Sequence, residues 1–410
     1  MPLSTLLEKL RGFFTPAFLV ATVTPLLCFI LVNAAILAQF NPAVSEWAGT
    51  YLSNDVTGKV IGAALFALGL IVVAYFFSTL NLTLRLILEG EKSLPKCFRS
   101  RLLSGETARL DKLGEQFDSA RNLQLTISKK SPSWADRLEK ARQTPKNRAC
   151  EYKENDAAHV ALEKLDQQRW HGDPISSEEL ENVVTSLQQA LTTNPADLAG
   201  NAGSKLLDRD HVRFVGEILQ YAQQRADKEY IDLFNEKEFN FSRYTLAPTR
   251  MGNVARSVDS YAQSRYHVNL VFFWTRLQKA LQGKKDYYST LQDAKAQLDF
   301  SVSLFWLTIF TVAIWLVALP FLAHTRLPLL LLGIIGPLFA RGCYLIGVQN
   351  YVAFADLLRS SLDLFRFELL TDLKLQLPKD GRSEQELWEL LNKRLAYGED
   401  PLITFTYKQE

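Results

Sequence analysis

Four long stretches with almost no charge constrain the fold of this sequence more than any other feature. Residues 17–40, 60–84 and 300–323 contain no Asp, Glu, Lys or Arg, and residues 327–355 contain only Arg341. A helix of about 20 apolar residues crosses the roughly 30 Å hydrocarbon core of a bilayer. One such run could be a buried core helix, but four runs in one chain predict an all-α membrane protein with four transmembrane helices.

Lys and Arg near the ends of these runs predict the orientation, because cytoplasmic loops are enriched in both residues. Lys9 and Arg11 precede the first run, whereas the loop 41–59 contains Lys59 alone against two carboxylates. The basic residues that follow the second run are Arg85, Lys92, Lys96, Arg99 and Arg101. We therefore expect a multi-pass protein with both termini in the cytoplasm.

The short link at about 324–326 favours an antiparallel hairpin between the third and fourth runs. The expected organisation is two transmembrane hairpins that flank a mostly helical cytoplasmic domain, with a long cytoplasmic helix after the fourth run. The boundaries are 1–16 for a cytoplasmic N terminus, 17–85 for the first hairpin, 86–299 for the domain, 300–355 for the second hairpin and 356–410 for the C-terminal helix and tail.

The composition of residues 86–299 is typical of helices, with much Ala, Leu, Gln, Glu and Lys and no alternating strand pattern. The expected helices are 106–128, 155–170, 203–226, 252–266, 269–281 and 285–299, the last continuing into the third run. The loosest stretch is 131–146. A short helix is expected near 383–395, and a strand near 402–407.

Charge alternates along the polar segment, with net charges of +7 over 91–150, −9 over 151–238 and +7 over 239–285. Such blocks are often solvated faces that pair with one another. In the third block, however, arginines alternate with aromatic rings, a pattern that suits phosphate binding and base stacking. The candidate ligand-binding residues are Arg243, Tyr244, Arg250, Arg256, Arg265, Tyr266, Trp274 and Arg276.

Three interpretations of this block stay open. A nucleotide or oligonucleotide is one possible partner, because the guanidinium fork matches phosphate geometry. Anionic lipid headgroups are the competing ligand, since the block need not lie far from the bilayer. A structural role is the third alternative for each single residue.

The same block carries a recognisable motif. Residues 244–254 read YTLAPTRMGNV and are followed by Tyr261-Ala262, Arg265-Tyr266 and Trp274-Thr275-Arg276-Leu277. These residues resemble a family of bacterial membrane proteins that share a PTRxGN stretch and a later RY…WxRL stretch ahead of a hydrophobic hairpin. The stretch Leu88-Glu89-Gly90…Leu94-Pro95 is also similar. The resemblance implies a bacterial inner-membrane location and carries no activity.

Arg341 is the one charge within a predicted span. It lies about 14 residues into the fourth run, or about 21 Å along a helix. A charge at that depth has to snorkel to the headgroups, pair with another group, or face water in a path that favours anions. The candidate pore-lining residues are Arg341 and the two polar positions Asn33 and Asn81.

The residues after the fourth run predict a long cytoplasmic helix with an apolar seam. Val348, Tyr351 and Ala355 begin a series with spacings of three and four that resembles a coiled coil. The seam either joins identical subunits or packs on the cytoplasmic domain of the same chain. The candidate oligomerisation residues are Leu358, Leu362, Phe365 and Leu369.

Catalytic and cofactor motifs are absent from the sequence. It contains no GxxxxGK[ST], GxGxxG, HExxH or GxSxG motif, and its five histidines have no metal-ligand spacing. We therefore predict no catalytic residue, no metal and no cofactor, and we do not expect an enzyme. A secondary transporter usually has more than four spans.

Two functions fit the sequence. The first is a homo-oligomeric membrane channel or pore-type effector, gated by the cytoplasmic domain through a phosphate-bearing ligand and conducting anions. Membrane effectors of bacterial antiphage and nucleotide-signalling systems have this general plan, which is an analogy of architecture. The second is a non-conducting, membrane-anchored scaffold that recruits a cytoplasmic protein partner.

Overall fold

A computed structural model of the chain describes residues 16–40, 46, 50, 56–92, 95–143, 151–153, 204–206, 209–322 and 327–398. The chain divides into two compact units. The first comprises Met1–Thr107 and Glu238–Glu410, and the second comprises Ala108–Lys237. The sequence had predicted one domain over 86–299, whereas residues 238–299 belong to the same unit as the apolar helices.

Four helices of the first unit are long and apolar enough to cross a membrane. They are α1 (Pro16–Phe40, with a π-helical turn at Leu19–Val23), α2 (Val56–Leu88), α7 (Lys285–Leu322) and α8 (Leu327–Asp372). At 46 residues, α8 is about 69 Å long, roughly twice the thickness of the hydrocarbon core. The helix is thus continuous from the fourth apolar run into the residues after it, and the cytoplasmic position of its second half stays a prediction.

Helices α7 and α8 pack side by side in opposite directions. Gly336 lies against Val312, and Gly347 lies against Ser301. A Cβ at Gly336 would approach Val312 Cγ2 to 2.3 Å, so the close contact requires glycine there. Asn350 continues the contact by donating hydrogen bonds to Gln297 O at 3.1 Å and to Ser301 Oγ at 2.6 Å.

Helix α7 is also the partner of both N-terminal apolar helices. Asn33 of α1 bonds to Thr311 and Trp315 of α7. From α7, Trp306 Nε1 donates to the Leu84 carbonyl of α2 at 3.1 Å. Polar contacts to α7 thus fix the positions of α1 and α2, and these pairings are not evident from the order of the spans along the chain.

Three shorter helices complete the first unit: α5 (Arg250–Tyr266), α6 (Leu270–Gln282) and α9 (Gly381–Tyr397). Each begins with a side-chain cap, in which Thr249, Asn269 or Asp380 accepts a backbone N–H that the first turn leaves free. They share one apolar core with the second half of α8. Its fully buried members include Met251, Phe273, Leu277, Leu362, Leu369 and Trp388.

The second unit contains parts of two long helices, α3 (Lys96–Gln143) and α4 (Arg209–Asn240). Within this unit Arg109 pairs with Glu236 at 3.2 Å, and the Phe117 ring lies 5.3 Å from the Tyr230 ring. The two helices therefore run antiparallel. Strands β1 (Glu151–Lys153) and β2 (Ser204–Leu206) pair antiparallel in the same unit.

The predicted helices agree best in the first unit. Helices α5, α6 and α9 begin and end within two residues of their predicted bounds, and α7 runs from the polar segment into the third span as expected. The loose stretch expected at 131–146 is helical as far as Gln143, and β1 and β2 were not anticipated. The helix expected at 155–170 and the strand expected at 402–407 lie outside the described residues.

Candidate functional site

The PTRxGN motif forms a packing junction at the start of α5. Thr249 Oγ1 caps the helix by accepting from Gly252 N at 3.0 Å. A Cβ at Gly252 would lie 2.0 Å from the carbonyl oxygen of Glu89, just after the end of α2. Glycine is thus the residue that lets α5 approach this backbone so closely.

Asn253 joins three parts of the chain at the same junction. Its Oδ1 accepts from Ala247 N at 2.6 Å, and its Nδ2 donates to Glu106 Oε2 of α3 at 2.9 Å. Asn253 is 1% exposed, so water does not reach its amide, and these two bonds satisfy the buried oxygen and nitrogen. The motif therefore holds α3, α5 and the end of α2 together.

Charged and polar side chains meet next to the PTRxGN motif, where α2, α7 and α8 come together. We call Asn81, Arg85, Glu89, Asp299 and Tyr351 the polar junction. Tyr351 donates to Glu89 Oε1 at 2.9 Å, and Arg85 lies 3.3 Å from Glu89 and 3.9 Å from Asp299. The polar junction thus links three of the four apolar helices at one level.

Glu89 is the buried acid of the polar junction, with only 4% of its surface exposed. Burial raises the pKa of its carboxyl above the ordinary value, while Arg85 and the hydrogen bond from Tyr351 act in the opposite direction. Its charge is therefore balanced by one cation and one donor rather than by water.

Asn81 faces α7 from within α2 and is 7% exposed. Its Nδ2 donates to the Asp299 carbonyl at 3.4 Å, whereas its Oδ1 has no hydrogen-bond partner among the described residues. The structure thus places Asn81 between α2 and α7, and its pore-lining role stays a prediction.

The other predicted pore-lining asparagine, Asn33, is also used inside the chain. Its Oδ1 accepts from Trp315 Nε1 at 2.7 Å, and its Nδ2 donates to Thr311 Oγ1 at 3.2 Å and to Phe29 O at 2.7 Å. These bonds satisfy the amide in an apolar environment and hold α1 against α7. The pore-lining role of Asn33 stays a prediction.

The arginines of the predicted ligand-binding block do not converge on one pocket. Arg243 pairs with Glu238 at 2.6 Å, Arg250 lies 3.8 Å from Glu106, and Arg256 donates to the Leu246 carbonyl at 2.8 Å. Arg276 donates to the Phe272 carbonyl one turn back at 2.6 Å, and Arg265 stacks on the Tyr261 ring at 4.8 Å. Each guanidinium thus has a partner within its own part of the fold.

The aromatic residues of the block are used in the same way. Tyr266 donates to Asp363 Oδ1 of α8 at 2.7 Å, and Trp274 packs against the apolar core. Burial and the Asp363 hydrogen bond raise the pKa of Tyr266, so this hydroxyl stays a donor. Tyr244 alone is largely exposed, at 63%. This arrangement favours the structural alternative that the sequence had left open.

The predicted oligomerisation residues lie in the chain's own core. Leu362 and Leu369 are each 1% exposed, and Leu358 and Phe365 pack against the same core. Their partners are α5, α6, α7 and α9, so this seam of α8 is already covered. Of the two alternatives that the spacing allowed, the structure shows packing within the chain in place of the intersubunit seam.

A different face of α8 is uncovered along most of its length. Every residue in a series with spacings of three and four is exposed, through the apolar half and beyond it. We call this series the open face: Ile334, Leu338, Arg341, Leu345, Gln349, Ala353, Asp356, Ser360, Leu364 and Phe367.

Arg341 lies in the apolar part of the open face. Leu338 before it and Leu345 after it are 63% and 38% exposed. No hydrogen bond or ion pair reaches Arg341 from the residues that the structure describes. It lies ten residues before Tyr351, about 15 Å along the helix from the polar junction. Of the three predicted pore-lining residues, it is the only one on an uncovered surface.

An apolar cleft of about 760 Å³ lies between α1, α7 and α8. Its wall includes Phe29, Val32, Leu307, Ile335 and Phe339. A lining of this kind suits a lipid chain or a neighbouring helix rather than an ion or a phosphate. It is therefore not a second candidate for the predicted phosphate ligand.

Comparison with known proteins found no matching family model, no matching curated protein and no matching solved structure. The resemblance to the PTRxGN membrane proteins therefore stays an expectation from the sequence. Within the described ranges, no group of three or more His, Cys, Asp or Glu side chains could hold a metal ion.

Sequence reasoning missed the polar junction. Arg85 was used only as an orientation signal, and Tyr351 only as a member of the seam. The available signal was the set of polar residues just at the ends of the apolar runs, such as Glu89 and Asp299. Their pairing depends on which helices are neighbours, which the periodicity of one helix does not contain.

Proposed function

We propose that this multi-pass membrane protein is a homo-oligomeric channel whose path is lined by the open face of α8, with Arg341 facing that path. The observation that carries the proposal is the uncovered position of Arg341 within an apolar span, without a hydrogen bond or ion pair to any residue that the structure describes. In the proposal, the water of the path and the surrounding subunits solvate its charge.

Exposure to lipid is the alternative for Arg341, and it is costly. An arginine at the centre of a membrane helix costs about 2.5–3.5 kcal/mol on insertion scales. Snorkelling reduces that cost when the side chain reaches the nearer headgroups. The Cα–Cβ bond of a helical residue tilts toward the N terminus of the helix, which here means away from the polar junction. The first side-chain bond of Arg341 therefore points away from the headgroups near the polar junction, which makes snorkelling to those headgroups harder.

The rest of the open face is consistent with a path that contains water. After Leu345, the middle of the series consists of four polar or small residues, Gln349, Ala353, Asp356 and Ser360, before it ends in Leu364 and Phe367. They continue the uncovered stripe beyond the apolar part of α8. The polar and small residues of this stripe can face water.

Arg341 in each subunit gives the path its selectivity. A ring of guanidinium groups attracts anions and repels cations, as charged rings do in other pores. The proposal includes both termini and the second half of α8 in the cytoplasm of a bacterial inner membrane, as the charge asymmetry predicts. It does not include a phosphate-bearing ligand, because the arginines of residues 239–285 do not converge on one pocket among the described residues.

A non-conducting scaffold is the second candidate. It is favoured by apolar residues that stay uncovered outside the spans, such as Val271 at 79% and Leu364 at 62% exposed. Such residues suit a protein partner on the cytoplasmic side. A monomer that carries no current and co-purifies with one defined protein would support this function.

Planar-bilayer recordings of the purified protein test the channel directly. We expect single-channel currents that favour anions. In a salt gradient, Arg341→Glu should move the reversal potential toward the equilibrium potential of the cation. Arg341→Lys keeps the charge and should keep the anion preference. Arg382→Glu is the matched charge-reversal control, since Arg382 is 89% exposed at the start of α9 and outside the open face.

Two results would contradict the proposal. One is a well-folded oligomer that carries no current under any applied voltage. The other is a conducting protein whose anion preference is the same in the wild type and in Arg341→Glu.

A further inference from the structure

The first turns of α3 are exposed to solvent in the part of the chain that the structure describes. Every residue from Pro95 to Leu102 is exposed, although this segment contains large apolar side chains. Phe98 is 62% exposed and Leu102 is 42% exposed. An uncovered aromatic and an uncovered leucine one turn apart indicate a surface that something else covers.

The segment is amphipathic in a specific way. Phe98 and Leu102 are four residues apart and so lie on one face of the helix. At about 100° per residue, Arg99 and Arg101 lie about 80° to either side of that face. An apolar stripe between two arginines is the pattern of a helix that lies in a membrane surface, with its long cationic side chains reaching the headgroups.

The cations of this segment are free to bind an external anion. Lys92, Lys96, Arg99 and Arg101 are all exposed, and none forms an ion pair with a residue that the structure describes. Glu91, the acid next to them, already lies 3.9 Å from Arg256. Four cations within ten positions, without an ion pair among the described residues, form a local positive patch.

The path of the chain keeps this patch near the bilayer. Span α2 ends at Leu88, and the next residue, Glu89, lies against Gly252. Further along the chain, Glu106 accepts a hydrogen bond from Asn253, the neighbour of Gly252. The first turns of α3 thus lie between two contacts with the start of α5, close along the chain to the end of the apolar helix α2.

We propose that Lys92 and residues 95–102 form a membrane-surface element that binds the anionic headgroups of the bilayer in which the spans lie. Phe98 and Leu102 enter the boundary between headgroups and acyl chains. Arg99 and Arg101, which flank that face, contact the lipid phosphates, and Lys92 and Lys96 add to the positive charge near the surface. The occupant is the phospholipid surface, and the element is independent of whether α8 lines a conducting path.

Site-directed spin labelling of the full chain in lipid nanodiscs tests the position of the element. In a variant without the four native cysteines, a nitroxide is attached at Phe98→Cys or at Ser100→Cys. Position 100 lies on the opposite face of the same turn and is the matched control. We expect the label at position 98 to be accessible to oxygen and protected from a water-soluble nickel complex, and the label at position 100 to show the reverse. Equal access of the nickel complex to both labels would overturn the proposal, as would protection of both from oxygen and nickel.

Native mass spectrometry tests the charge dependence. Protein released from nanodiscs of mixed zwitterionic lipid and phosphatidylglycerol should retain phosphatidylglycerol in excess. Arg99→Gln with Arg101→Gln should lower that retention about fivefold for each arginine removed. The control, Lys379→Gln with Lys393→Gln, removes the same charge beyond the far end of α8 and should leave the retention unchanged. Equal retention in all three proteins, or displacement of the lipid by inorganic phosphate alone, would overturn the proposal.

Discussion

At the scale of single residues, the structure gives the PTRxGN motif a physical role. Gly252 and Asn253 are conspicuous in the sequence only as part of a resemblance, and nothing in their spacing names their partners. The structure pairs Gly252 with the Glu89 backbone and Asn253 with Glu106, contacts that span 147 or more positions of the chain. Arg341 differs, because a lone charge in an apolar run is visible from the sequence itself.

Substituting Gly252 tests the packing role. Gly252→Ala places a methyl group 2.0 Å from a backbone carbonyl, so either α5 or the end of α2 has to move. We expect a loss of about 3 kcal/mol or more, at the upper end of overpacking costs. The measurement is the thermal unfolding midpoint of the detergent-solubilised protein.

The control for this substitution is Gly105→Ala in α3. A Cβ at Gly105 has nothing within 4 Å, so only the helix propensity changes, with a gain of up to about 1 kcal/mol. If both variants shifted the midpoint equally, the close approach of Gly252 to Glu89 would be wrong.

Glu89 makes the stability depend on pH in a defined direction. Because burial raises the folded-state pKa of this carboxyl above its ordinary value of about 4.5, its contribution is fully present below that value. It is lost as the pH rises through the raised pKa. Glu89→Gln keeps an acceptor for Tyr351 and removes the titration, so its unfolding midpoint should fall less than that of the wild type between pH 4.5 and pH 8. The same pH profile in both proteins would contradict the burial of an ionisable Glu89.

At the scale of elements, α8 shows what periodicity predicts and what it leaves open. The spacing of Leu358, Leu362, Phe365 and Leu369 identified one face of a helix, and the structure confirms that they share a face. It did not identify the partner of that face, because an apolar seam is the same whether a subunit or the chain's own core covers it. The open face was missed because polar and small residues interrupt its apolar ones, so that it forms no continuous apolar pattern.

Cysteine cross-linking distinguishes the two faces. In a variant without native cysteines, Ser360→Cys should give cross-linked dimers in membranes treated with a bifunctional thiol reagent, since position 360 lies on the open face. Leu362→Cys, two residues later, is 1% exposed and should stay monomeric. Cross-links from position 362 without any from position 360 would favour the original seam over the open face.

At the scale of the whole molecule, the number of spans was predictable and their pairing was not. The energetic cost of charge in hydrocarbon makes four uncharged runs into four helices long and apolar enough to span. Which helices touch depends on pairs such as Asn33 with Trp315, 282 positions apart. The division into two units depends likewise on the contacts of residues 238–299, which the composition of the segment does not reveal.

The orientation of the chain is a prediction at this scale. A membrane-impermeant thiol reagent added to intact cells should label Thr325→Cys in the link between the third and fourth runs. It should leave Lys379→Cys unlabelled until the membrane is opened. The opposite pattern would invert the topology and place the polar helices on the outer side.

The arrangement of subunits tests the central claim most directly. Electron microscopy of the full chain in lipid nanodiscs should show a closed ring of identical subunits, with α8 next to the axis and the Arg341 side chains facing it. A monomer, or a ring in which the open face of α8 points outward to the lipid, would contradict the account.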